Sequence, residues 1–260
     1  MRIGMPIIRK CSACQGFFEE TNYLSGNTFG GRLWTDGSMM ARGLPSGDWL
    51  VKCPHCEAFL WIDEQEYLGE FPDDFYPDDI DPDDIENGNF ILDPDDFDPE
   101  LKNAEHYETP STDEIFSVLE KGELPENKER HLRVRVWWSE NNERRYMFAD
   151  GFDDHEIPLS DRESGNIKRL FGLLDHSGEE DRVMMAEIKR ELGEFEAAKE
   201  LLEGPFPRRL TFAVSTIKDL IDKQDPFVAP IIVPPGAERE WNDEDEDVEV
   251  IYDVFVGDED

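Results

Sequence analysis

Residues 62–100 contain no lysine or arginine, against 17 aspartates and glutamates. Long apolar runs are missing as well. No stretch approaches the roughly 18 residues a membrane-crossing helix needs, and Met1–Lys10 holds no apolar segment of export-signal length. A soluble, cytoplasmic protein is therefore expected. Basic residues are scarce throughout, 26 against 63 acidic, for a formal net charge of -37. Such a chain repels phosphate, which argues against nucleic-acid and anionic-membrane partners. Apolar content is lean at 38%, yet 11% aromatics are too many for a chain disordered from end to end.

The excess charge is local. Residues 1–61 are net +1, residues 62–100 net -17, residues 101–237 net -10 and residues 238–260 net -11. A halophilic surface would spread its acids over the first segment too. The first acidic stretch repeats Pro72-Asp-Asp-Phe75, Pro77-Asp-Asp-Ile80, Pro82-Asp-Asp-Ile85 and Pro94-Asp-Asp-Phe97. Proline at this density blocks helices and removes ladder donors, and the carboxylates repel one another, so an extended arm is predicted. Its regular Phe and Ile suit it to lie on a folded surface or to meet a basic protein partner. The second acidic stretch leads into Val248–Val256, which reads as a short terminal strand.

No cysteine lies beyond residue 56. The four present form two pairs, Cys11-Ser-Ala-Cys14 and Cys53-Pro-His-Cys56, separated by 38 residues. Two intervening residues let a tight turn aim both sulfurs at one point, and two such turns supply the four-sulfur shell zinc prefers. Each pair follows an apolar-then-basic run, Ile7-Ile8-Arg9-Lys10 and Leu50-Val51-Lys52. Gly16 is placed to supply an unusual backbone angle, and Phe59–Ile62 reads as a strand. This layout resembles the zinc ribbon, in which β-hairpins present two cysteine knuckles; the resemblance covers about residues 7–66. It implies a structural zinc held by Cys11, Cys14, Cys53 and Cys56, with no open coordination position. The gap exceeds the family's usual one, and residues 28–47 fit an inserted β excursion. Its Arg32, Trp34, Met39, Met40 and Arg42 form either a recognition surface or, for the apolar members, part of a core. Two disulfides, an iron site with the same ligands, and a redox dithiol at Cys53 and Cys56 are the competing readings. The redox reading needs a helix opening at the motif to lower the thiol pKa. His55 is expected at the surface.

Beyond residue 110 the pattern is helical. Ser111-Thr-Asp-Glu114 opens one helix and Pro125 a second, although Val134, Val136, Trp137 and Trp138 have strand propensity as well. Ile167, Leu170, Phe171 and Leu174 form an amphipathic stripe over Asn166–His176. Val183–Leu192 and Phe195–Leu202 make a helix pair hinged at Gly193, and a last helix spans about Leu210 to Ile221. Ala186, Gly193, Phe195 and Ala198 resemble the middle of a tetratricopeptide repeat, over half a repeat and without a second copy. The chain as a whole resembles bacterial proteins joining a cysteine-knuckle ribbon to a helical domain, a resemblance that brings no activity with it.

No nucleophile elbow, phosphate loop or dinucleotide fingerprint occurs. Asp153-Asp154-His155-Glu156 reads as a solvated loop, so no catalytic residue is assigned. The expected fold is α+β: a zinc ribbon over 1–68, the acidic arm over 69–110, a helical domain over 111–230 and a tail over 231–260. The expected function is a non-enzymatic zinc-binding adaptor. A thiol-disulfide redox protein and a ribbon that associates with nucleic acid through Arg9, Lys10, Arg32, Arg42 and Lys52 stand as alternatives.

Overall fold

A computed structural model describes residues 2–44, 47–70, 101, 104–149 and 157–233. The Pro-Asp-Asp repeats, the Asp153–Glu156 cluster and the Val248–Val256 segment lie outside these. The fold is α+β, with strands in the N-terminal part and six helices among the described residues of the later part. The chain divides into two compact units, residues 1–29 with 42–111, and residues 30–41 with 112–260.

The first unit is built mostly from short antiparallel pairs. Strands β1 (Arg2–Ile3), β2 (Ile7–Lys10), β3 (Phe17–Glu20) and β4 (Tyr23–Ser25) open the chain. After the excursion come β7 (Leu50–Lys52), β8 (Phe59–Trp61), β9 (Glu66–Glu70) and β10 (Glu105–His106). One sheet runs β10-β3-β2-β9, with β10 parallel to β3 and the rest antiparallel. Strands β7 and β8 pair separately, Lys52 opposite Phe59, and β1 pairs with β4. The β-branched and aromatic residues of β2, β3, β7 and β8 suit a half-buried pleat. Phe18, Val51 and Leu60 are buried with Cys11 and Cys53 in a single small cluster. Even with Ile8 and Leu50, also buried, this is a thin core for so many strands, which is where a bound ion would add most.

The second unit holds β5 (Arg32–Leu33) and β6 (Met39–Met40), paired antiparallel, and six helices. These are α1 (Thr112–Glu120), α2 (Glu126–Ala149), α3 (Asp161–Phe171), α4 (Glu179–Glu191), α5 (Phe195–Leu201) and α6 (Thr211–Asp222). The strand propensity of Val134–Trp138 is overridden, because helix α2 turns Val134 and Trp137 into a cluster with Ile167, Leu170, Met184, Met185 and Ile188. Helix α3 begins five residues before the apolar stripe that betrays it. Ser160 accepts from the Glu163 amide and Glu163 reaches back to the Ser160 amide, a capping box. The expected α4–α5 hairpin is present, with Ala186 and Ala198 fully buried in one cluster that includes Val183, Leu202, Val214 and Ile217. Gly193 closes α4 at φ +75°, the left-handed region a side chain resists.

Residues 30–41, placed by the sequence spacing within the ribbon, group instead with the helices. Leu33 packs on the α4–α6 cluster, and Trp34, Thr35, Asp36 and Ser38 are all buried. Leu33 and Trp34 thus pack as core, while Met39 is half-buried and Arg32 and Met40 remain exposed.

Candidate metal centre

The two cysteine pairs sit at equivalent places. Cys11–Cys14 caps the β2–β3 hairpin and Cys53–Cys56 caps β7–β8. Each turn is drawn by the same two backbone bonds. In the first, Cys11 N–H donates to Gly16 O (2.8 Å) and Gln15 N–H to Cys11 O (2.9 Å). In the second, Cys53 N–H donates to Ala58 O (3.0 Å) and Glu57 N–H to Cys53 O (2.9 Å). The left-handed angle that sequence reasoning gives to Gly16 belongs to the residue before it. Gln15 has φ 66° and its counterpart Glu57 has φ 58°.

Gly16 is required for a different reason. A Cβ there would lie 2.7 Å from Cδ2 of His55. The His55 ring, exposed as expected, crosses to the other hairpin, and its Nε2–H donates to Phe17 O at 2.6 Å. A carbonyl can only accept, which fixes the proton on Nε2. One ring therefore ties the second knuckle to the first, and only a residue without a side chain leaves it room.

The structure brings all four predicted ligands together. Sγ of Cys14 lies 3.8 Å from Sγ of Cys53, and Sγ of Cys11 lies 3.9 Å from Sγ of Cys56. All four sulfurs fall within 4.8 Å of one another, and none is in a disulfide. Zinc–sulfur bonds of about 2.3 Å in a tetrahedron demand sulfurs about 3.8 Å apart. The cluster can hold a metal ion with little adjustment. Cys11 and Cys53 are buried, Cys14 and Cys56 exposed. Burial pushes the Cys53 thiol up to about 12, amides of Cys56 and His55 pulling down and the sulfurs of Cys56 and Cys11 adding to the rise. Without a cation this sulfur keeps its proton at neutral pH; a divalent ion supplies the charge that favours the thiolate.

The second knuckle runs into strand β8, so no helix opens at Cys53. The surrounding bases are paired: Arg9 with Glu20, Lys10 with Glu66 and Lys52 with Glu108. Sequence reasoning missed a residue that braces the first knuckle, namely Gln65. Its Oε1 accepts from the Ser12 amide at 2.9 Å inside the first knuckle, and its Nε2 donates to Trp61 O at 2.9 Å. Nothing local in the sequence marks that glutamine, since Ser12, the partner that ties it to the first knuckle, lies 53 positions away. Comparison of the chain with family models, curated proteins and solved structures finds no match.

Proposed function

We propose that the four-cysteine cluster is a structural zinc centre, and that the protein is a non-enzymatic cytoplasmic interaction module stapled by it. The observation that carries this is the sulfur spacing: two of the cross-knuckle pairs lie at 3.8 and 3.9 Å, the edge of a zinc–thiolate tetrahedron, and all four sulfurs fall within 4.8 Å. Cys11, Cys14, Cys53 and Cys56 would complete the shell, leaving no place for a substrate or an activated water. Zinc here supplies folding energy that the ribbon's small apolar cluster lacks. The acidic segments favour a basic protein partner, since charge of one sign concentrated in a short stretch raises the encounter rate with its opposite.

The redox alternative is disfavoured by strand β8 after the Cys53–Cys56 turn and by burial that raises rather than lowers the Cys53 pKa. Nucleic-acid association is disfavoured by the carboxylate partners of Arg9, Lys10 and Lys52. Native mass spectrometry with thiol titration tests the zinc assignment. One zinc per chain, with the four thiols masked until a chelator is added, is the expected result. A metal-free chain whose Cys53 and Cys56 cycle with glutathione would replace it with the redox function. Pull-downs with and without residues 70–100 test the arm, and an unchanged set of partners removes it from the interaction model.

A further inference from the structure

The 38 residues between Cys14 and Cys53 do not form a simple loop of the ribbon. Close to its base, Asn27 N–H donates to Gly43 O at 2.8 Å, and the two residues form an antiparallel bridge. A Cβ on Gly43 would meet the side-chain nitrogen of Asn27 at 2.7 Å, so the Asn27 side chain lies directly against this glycine. Just beyond it the chain leaves the first unit after Phe29 and returns at Arg42.

The intervening residues are stitched into the helical unit by bonds at both main chain and side chain. Thr35 N–H donates to Ala229 O (2.9 Å), Ala229 N–H to Thr35 Oγ1 (3.1 Å) and Ile231 N–H to Leu33 O (2.8 Å). Asp36 enters a fully enclosed polar site. Its Oδ2 is paired with Arg145 and accepts from Asn141 Nδ2 at 3.0 Å, and its carbonyl accepts from Trp138 Nε1 at 2.9 Å. The Arg145 guanidinium also lies over the Trp34 ring, 5.7 Å from its centroid. A turn carrying a buried carboxylate on one side and a buried indole on the other is committed to that position.

We infer that metal occupancy of the cysteine cluster is thermodynamically coupled to the seating of residues 30–41 in the helical unit, so that the helices register whether the ribbon is loaded. The inference rests on the zinc assignment above. The ordered ribbon holds the neck shut and presents the excursion with its ends already together. Metal loss releases the neck, and the excursion must then seat with free ends, at greater entropic cost. Linkage makes the effect reciprocal: a seated excursion shortens the free chain that zinc must close, and so tightens zinc binding by the same factor. Removing the 12 seated residues from a 38-residue loop gives about twofold from loop length alone.

Hydrogen exchange on the full chain, zinc-loaded and after chelation, tests it. The amides of Cys11 and Cys53 report the ribbon; those of Thr35, Ala229 and Ile231 report the seat; Leu192, bonded to Ile188 O, reports helix α4. Chelation is expected to expose the ribbon amides, to speed exchange at the seat about twofold and to leave Leu192 unchanged. Exposed ribbon amides with no change at Thr35, Ala229 and Ile231 would overturn the coupling while leaving the zinc centre standing. Ribbon amides indifferent to added zinc and to chelation would bring down the zinc assignment and the coupling with it. Asp36→Ala unseats the excursion whether or not the helices hold, and is expected to weaken zinc binding about twofold in a chelator competition. An unchanged zinc affinity in Asp36→Ala also refutes the coupling.

Discussion

Asp36 and Arg145, 109 positions apart, form an ion pair in which neither side chain is more than 1% exposed. The aspartate lies in the turn between β5 and β6, the arginine near the end of α2. Arg145 also donates to Trp138 O (2.7 Å) and Asn142 Oδ1 (2.8 Å), so the pair is embedded in a polar network rather than isolated. Nearby, Asn141 links Asp36 to Glu191, whose second oxygen accepts from Trp137 Nε1.

Breaking this pair on one side leaves a buried charge without its counterpart. Arg145→Met is therefore expected to destabilise the helical unit by about 3–5 kcal/mol. The double variant Asp36→Leu with Arg145→Met removes both charges and is expected to recover more than half of that loss. Urea unfolding followed by helical ellipticity checks both. Additive losses in the double variant would mean that the two residues do not interact.

The ribbon offers an independent test at Gly16. Gly16→Ala drives a methyl against the His55 ring and is expected to weaken metal retention by about tenfold, the size of effect typical of shells that orient ligands. Replacing the ring as well, in Gly16→Ala with His55→Ala, relieves the clash and restores part of the affinity. Competition against a chromophoric chelator reads the difference, and a Gly16→Ala protein that binds as well as the parent contradicts the proposed packing.

Stability should respond to pH through Glu140. Burial, with Glu163 adding and Arg162 and Arg144 opposing, raises its carboxyl from 4.5 to about 7. It lies 3.4 Å from Arg162 Nε in an ion pair but accepts no hydrogen bond among the described residues. The folded state keeps this proton after the unfolded chain has lost it, so its contribution to stability falls as pH rises from about 4.5 to about 7. Glu191, raised to about 8 mainly by burial, acts in the same direction. His131 opposes them at lower pH: burial holds it neutral down to about 3, so stability rises as pH climbs from there to 6.5. Glu140→Gln is expected to match the parent at pH 4 and to exceed it by about 1–3 kcal/mol at pH 8. Denaturation at both values decides it; a parent more stable than the variant at pH 8 would refute the buried environment.

Gly193 terminates α4 at φ +75° with no atom within 4 Å of an added Cβ. Gly193→Ala thus introduces backbone strain without a clash, and about 1 kcal/mol of destabilisation is expected. Asn, which tolerates this conformation, should cost less. Thermal unfolding of the two variants separates strain from crowding.

The four converging cysteines and the helix pair were legible because their signals are local. Two residues between cysteines determine a turn, and apolar residues three and four apart determine a buried stripe, whatever the rest of the chain does. The start of α3 was legible in principle too, since Ser160 and Glu163 stand at capping-box spacing, but its first turn carries no apolar periodicity. Helix α2 shows where local signals conflict. Val134, Val136 and Trp137 favour strand by propensity, and only packing against Ile167, Met184 and Ile188 selects the helix.

By itself, the sequence determined that four sulfurs can converge, where the acidic charge is concentrated and that helices follow a small β module. Each of these follows from residue type and short-range spacing. Only the tertiary structure decided that residues 30–41 belong with the helices, that Gly16 yields to the ring of His55, and that Asp36 meets Arg145. Those outcomes depend on partners dozens of positions distant, and an aspartate in an Asp-Gly turn looks the same in sequence whether water or a buried guanidinium receives it.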